Sequence, residues 1–93
     1  MTMQTDVSSA ARTSDGTIVA QGTRIKAITI TTTSSAGSVV LKDGGASGTA
    51  KITINTPAVA EIFNVLIPGE GVRFYTDVYV DVTNVDGVTV FFG

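Results

Sequence analysis

The carboxylates are the first residues to test for chemistry. Asp77 and Asp81 stand four positions apart in a stretch that alternates polar and apolar residues. On a strand they share a face about 13 Å apart, at about 3.3 Å per residue. That is too far to share a metal ion, and longer than the roughly 5–9.5 Å carboxyl spacing of glycoside hydrolysis. With Tyr79 between them they read as a solvated or partner-facing stripe. Asp43 precedes Gly44-Gly45 with no second carboxylate nearby, whereas a Ca²⁺ loop needs about six to eight oxygens. It reads as a turn residue. Gly44, Gly45 and Gly48 are not followed by Lys-Ser/Thr or by a helix start, so they do not cradle a phosphate. Serines are plentiful, but no Gly-x-Ser-x-Gly elbow is present, and the chain has no His to activate one. It also has no Cys, which excludes a thiolate nucleophile, a disulfide framework and a Cys/His zinc site. The expectation is a non-enzymatic protein with no catalytic residue, no metal ligand and no cofactor.

The wider composition narrows the class further. The chain has 93 residues, enough for one domain and too few for two. Charged residues are 15%, against a globular norm of roughly 25%. Six Lys and Arg against eight Asp and Glu leave a net charge of -2. A nucleic-acid binder needs a basic face, so none is expected. The longest apolar runs, such as Val65-Leu66-Ile67, fall far short of the roughly 20 residues of a membrane span. The start lacks a basic cluster followed by an apolar run, so no signal peptide is expected.

The elements that must position any site are strands. Thr and Val dominate, Ile adds to the β-branched share, and strong helix formers are scarce. β-Branched side chains lose rotamer freedom in helices and pack well on a pleated surface. Period two recurs along the chain, and no window sustains a 3.6-residue period. The pattern predicts strands at 17–20, 23–32, 38–42, 49–55, 61–67, 72–76, 77–83 and 88–92. In Thr23–Thr32, Ile25 and Ala27 share one parity while Ile28 and Ile30 share the other. That slip predicts a bulge near Ala27 or a swap of faces between two sheets. Asp43-Gly44-Gly45-Ala46-Ser47-Gly48 is the strongest turn signal and predicts a hairpin. Asn84 to Gly87 reads as a turn. The fold expected is all-β: a single antiparallel β-sandwich, or a jelly-roll-like domain, of about eight short strands over residues 13–93. Residues 1–12 read as a polar N-terminal arm or a weak first strand.

Phe91-Phe92 is the most informative pair outside the turns. Adjacent strand residues point to opposite faces. One ring can enter the core, and the other must find a second surface. That surface is either the far side of a central strand or a contact with another subunit.

Several segments together resemble a known family. These are Met1-Thr2-Met3-Gln4-Thr5-Asp6-Val7, Gly37-Ser38-Val39-Val40-Leu41-Lys42-Asp43-Gly44-Gly45, Ile67-Pro68-Gly69-Glu70-Gly71-Val72-Arg73-Phe74, Thr83-Asn84-Val85 and Val88-Thr89-Val90-Phe91-Phe92-Gly93. In that order, over nearly the whole chain, they resemble short virion structural proteins, of capsid-decoration type, from tailed and often marine bacteriophages. The resemblance implies a protein made in the bacterial cytoplasm and carried in the virion. Its implied partners are the major capsid protein or other virion proteins, and copies of itself in cyclic homo-oligomers such as trimers. The interface residues expected are Met1, Thr2, Met3, Gln4, Thr5, Asp6, Val7, Tyr79, Phe91 and Phe92. A neck, tail or fibre-associated β-domain needs the same physics and stands as the alternative. A carbohydrate-binding β-sandwich is third, because such modules present aromatic platforms and the only tyrosines are Tyr75 and Tyr79.

Overall fold

The computed structural model describes residues 8–67, 69 and 71–93. The described residues are all-β, with nine strands: β1 (Ser8–Arg12), β2 (Gly16–Val19), β3 (Thr23–Thr32), β4 (Gly37–Asp43), β5 (Thr49–Thr56), β6 (Ile62–Leu66), β7 (Val72–Phe74), β8 (Val78–Thr83) and β9 (Val85–Phe92). They form two antiparallel sheets. The first runs β1-β9-β3-β6, with β7 also paired to β3; the second runs β2-β8-β4-β5. Strand β3 is long enough to take two partners end to end. Thr23–Ile25 pair with β7 and Ala27–Thr31 pair with β6.

Alternation builds the core between the sheets. The inward residues include Ile25, Ile28 and Ile30 of β3, Val88 and Val90 of β9, Val39 and Leu41 of β4, and Val78 and Val80 of β8. Phe74 of β7 is the largest side chain that is fully enclosed. The parity slip in β3 is a bulge: the register against β9 shifts between Ile25 and Ala27. One extra residue lets both Ile25 and Ile28 face inward, as their burial requires.

The hairpin β4–β5 forms as expected, with Gly44 and Gly45 at positive φ of 109° and 82°. The expected turn over Asn84–Gly87 is much shorter. Only Asn84 turns, with φ of 52°, and β9 begins at Val85 in the opposite sheet. Asn tolerates the left-handed region better than most residues. Its side chain also donates from Nδ2 to the Ala36 carbonyl at 2.9 Å, while its own carbonyl accepts the Thr33 hydroxyl at 2.9 Å. A single residue therefore carries the chain across the sandwich. Of the stretch read as an arm or weak strand, Ser8–Arg12 is a strand, paired in register with Val88–Phe92. The expected interface residues Met1, Thr2, Met3, Gln4, Thr5, Asp6 and Val7 lie outside the described residues.

Candidate assembly surface

Strand β6 is Ile62-Phe63-Asn64-Val65-Leu66, with neither a charge nor a proline. Three sets of hydrogen bonds fix it on β3. At one end the Thr32 N–H donates to the Glu61 carbonyl at 2.8 Å, and the Glu61 N–H donates to the Thr32 hydroxyl oxygen at 3.0 Å. That hydroxyl also reaches the Val59 carbonyl. In the middle the Thr29 hydroxyl donates to Asn64 Oδ1 at 2.8 Å. At the far end the Ile67 N–H donates to the Lys26 carbonyl at 3.0 Å. These bonds set which way the backbone faces. In an antiparallel strand the N–H and C=O of one residue point the same way, and neighbours alternate. Glu61 and Ile67 point at β3, so Phe63 and Val65 do too. Ile62, Asn64 and Leu66 direct their N–H and C=O groups away from the sheet. The side chains of Ile62 and Leu66 are 67% and 80% exposed.

The outer face of the same sheet continues from β6. Register places Ser9, Phe91, Ala27 and Leu66 in one row, and Ala11, Thr89, Thr29 and Asn64 in the next. Gly87, Thr31 and Ile62 follow. None of these residues is charged. Of the two C-terminal rings, Phe92 packs against the core. Phe91, on the opposite face of a strand flanked by β1 and β3, is half-buried on this outer surface. Tyr79 sits elsewhere. It is half-buried on the outer face of the second sheet, where register aligns it with Thr17 and Lys42. Phe91 and Tyr79 therefore belong to different faces and do not form one surface. The face around Tyr79 carries the Lys42–Asp81 ion pair at 3.4 Å.

A second cluster lies at one end of the sandwich. Asp43 Oδ2 accepts the Tyr75 N–H at 2.9 Å, and Oδ1 accepts the Thr76 N–H at 2.9 Å and the Asp77 N–H at 3.4 Å. Asp77 returns the arrangement: its Oδ1 accepts the N–H groups of Gly44 and Gly45 at 3.0 and 3.1 Å. Asp77 thus precedes β8 and ties two loops together, rather than extending a surface stripe with Tyr79 and Asp81. Sequence reading missed this pairing, because the partners lie 32 to 34 positions apart. Beside the clamp, Tyr75 is 70% exposed. Lys51 Nζ lies 4.9 Å from its ring centroid, and the Arg73 guanidinium carbon 5.2 Å. Two cations thus already lie against this ring, which a sugar would have to share.

The clamp sets a pH dependence. The Tyr75 and Thr76 N–H groups hold the Asp43 carboxyl below its ordinary value of 3.8; partial desolvation opposes them, and the Asp77 N–H and Lys51 add to them. A carboxyl lowered on folding stabilises the fold fully above its unfolded pKa, and that gain is lost as pH falls through the folded value. Asp43→Asn keeps one acceptor oxygen and removes the titration. The wild type is expected to exceed this variant in stability by a constant margin from about pH 5 to 7, and the margin shrinks below about pH 4. Urea titrations at pH 6 and pH 3 check it. An unchanged margin contradicts the assignment.

A cleft of about 330 Å³ between Gln21, Arg24, Arg73 and Gly93 bounds the uncharged face at one end of the first sheet. Arg24 and Arg73 are directly opposed across β3 and β7 there. No protein-family model, curated protein or solved structure matches the chain.

Proposed function

We propose that this chain is a non-enzymatic structural protein of a phage particle, a decoration or cement protein bound in many copies on the head shell. The observation that carries the reading is the outer face of the first sheet. The rows from β1, β9, β3 and β6 make a patch of Ser, Thr, Ala, Asn, Gly and apolar residues without a charge, bordered along β3 by Arg24 and Lys26 and along β9 by the exposed Asp86. Docking this patch on another protein desolvates no ion within it, and few long charged side chains need be ordered. Two further features support it. The sequence resembles small virion proteins over nearly its whole length. A small domain without disulfides also gains stability from assembly by mass action. The major capsid protein is the partner the resemblance implies, and the segment Met1–Val7 adds to the contact. A neck or tail position uses the same face and differs in copy number.

Charges on that face test the proposal. Ala11 and Thr31 are both exposed there. The double variant Ala11→Glu/Thr31→Glu is expected to keep the wild-type circular dichroism. It is also expected to bind particles lacking the protein at least about tenfold more weakly, because two carboxylates then face desolvation. Undiminished binding by the folded variant removes this face from the contact.

A further inference from the structure

We propose that β6 is a self-association edge: two copies of the chain join their first sheets by antiparallel β6–β6 pairing about a two-fold axis at Asn64. The inference is independent of the virion reading, because it rests on backbone direction and sequence symmetry alone.

Among the described strands, the other sheet edges carry features that discourage pairing. β1 is Ser8-Ser9-Ala10-Ala11-Arg12, polar and ending in a charge. β2 is four residues long, with a register shift between Thr17 and Val19. β5 is bulged at Lys51, where the register jumps from Ile52 to Ala50. β7 shares an edge with β6, but Lys51 Nζ caps its Arg73 carbonyl at 3.0 Å. Short length, bulges and edge lysines are the usual means of blocking strand addition. β6 has none of these, and it carries the two most exposed large aliphatic side chains among the described residues.

The occupant follows from the sequence of the edge. A two-fold interface must be complementary to itself. Centred on Asn64, β6 reads the same in both directions by class: two apolar residues, Asn, two apolar residues. Antiparallel pairing places Ile62 opposite Leu66 of the second copy on one face, and Phe63 opposite Val65 on the other. No charge meets a like charge. The outward-facing backbone groups of Ile62, Asn64 and Leu66 are the ones this register needs, each exchanging N–H and C=O with its counterpart. Asn64 meets its own copy. Its Oδ1 is held by Thr29, which leaves the amide N–H groups to donate across the axis. The result is a first sheet continuous through both copies, with Ile62 and Leu66 removed from water. A pair of five-residue strands is a small interface, so a dissociation constant in the micromolar range or weaker is expected.

Sedimentation equilibrium of the purified chain, up to about 1 mM, tests the pairing. A monomer–dimer equilibrium is expected. Ile62→Lys/Leu66→Lys alters only exposed side chains, and each change counts twice in a two-fold dimer. It is expected to weaken association by at least about a hundredfold, with circular dichroism unchanged. Because the chain has no cysteine, Asn64→Cys gives a clean geometric readout. The Cα atoms of the two introduced thiol residues would lie about 5.5 Å apart across the axis. A short bismaleimide should therefore link them in high yield, and should not link the Thr53→Cys control on β5. A monomer at 1 mM overturns the proposal. So does a trimer, an undiminished dimer in the lysine variant, or equal cross-linking in the control.

Discussion

Phe74→Ala is expected to be among the most damaging single changes in the protein, removing about 3–5 kcal/mol. The ring is wholly enclosed and is the largest such side chain. It enters the core from β7, a strand of three residues whose pairing, among the described strands, is with Thr23–Ile25 of β3, beside the Lys51 cap on Arg73 and the Asp43 clamp on Tyr75 and Thr76. Such a short strand has few ladder bonds of its own, so its anchorage depends on the ring. A domain of this size has a total stability on the order of 5–14 kcal/mol. At roughly 4–8 °C per kcal/mol the melting temperature should fall by at least about 12 °C. Differential scanning calorimetry reads this directly. A fall of less than about 4 °C means that the site collapses around the missing ring and that β7 is held by something else.

Gly37→Ala is expected to be comparably severe for a different reason. Gly37 has an ordinary φ, so conformational freedom is not at stake. The limit is space. A Cβ at this position would lie 1.8 Å from the Thr83 carbonyl oxygen and 2.9 Å from Asn84 Cβ. The obstructing oxygen belongs to backbone next to the one-residue corner between β8 and β9, which cannot move without disturbing both sheets. Overpacking costs typically about 1–3 kcal/mol, and more where the neighbour is fixed. The upper end, about 3 kcal/mol, is expected here. Gly45→Ala is the useful contrast. Nothing lies within 4 Å of its Cβ, but its φ is +82°, so it should cost only about 1 kcal/mol. Urea denaturation of both variants separates the two causes. Equal losses would contradict the steric account of Gly37.

The strands were legible because burial repeats every two residues, and that repeat is local. The bulge at Ile25–Ala27 was legible for the same reason, as a break in parity where both isoleucines must face inward. The β4–β5 turn was legible because Asp-Gly-Gly supplies positive φ. Asn84 shows where local reading fails. Asn-Val-Asp-Gly looks like a four-residue turn, yet Val85 is buried and pairs with Thr32, so the strand starts at once. Phe91 and Phe92 were legible as a pair split between faces, but not as to which ring faces the core, since that depends on the register with β1 and β3. In the sequence alone, Asp43 looks like a turn residue and Asp77 like a surface residue. Their hydrogen bonds run between loops that only the fold brings together. The bare edge of β6 was hidden for a similar reason. Ile62 to Leu66 looks like any apolar strand, and whether a strand is central or terminal is set by topology. Phe91, expected at an interface, lies on the same uncharged face as Leu66; Tyr79 lies on the opposite sheet.

If this fold serves assembly in many copies on a particle, as proposed above, its copy number in purified virions should show it. Quantitative mass spectrometry against the major capsid protein measures that number. A ratio near one, or a simple fraction of it, is expected, as a shell-covering decoration protein requires. A ratio of a few per cent or less would contradict the shell position and place the protein at the neck, tail or a vertex. Its absence from the particle would overturn the structural role itself.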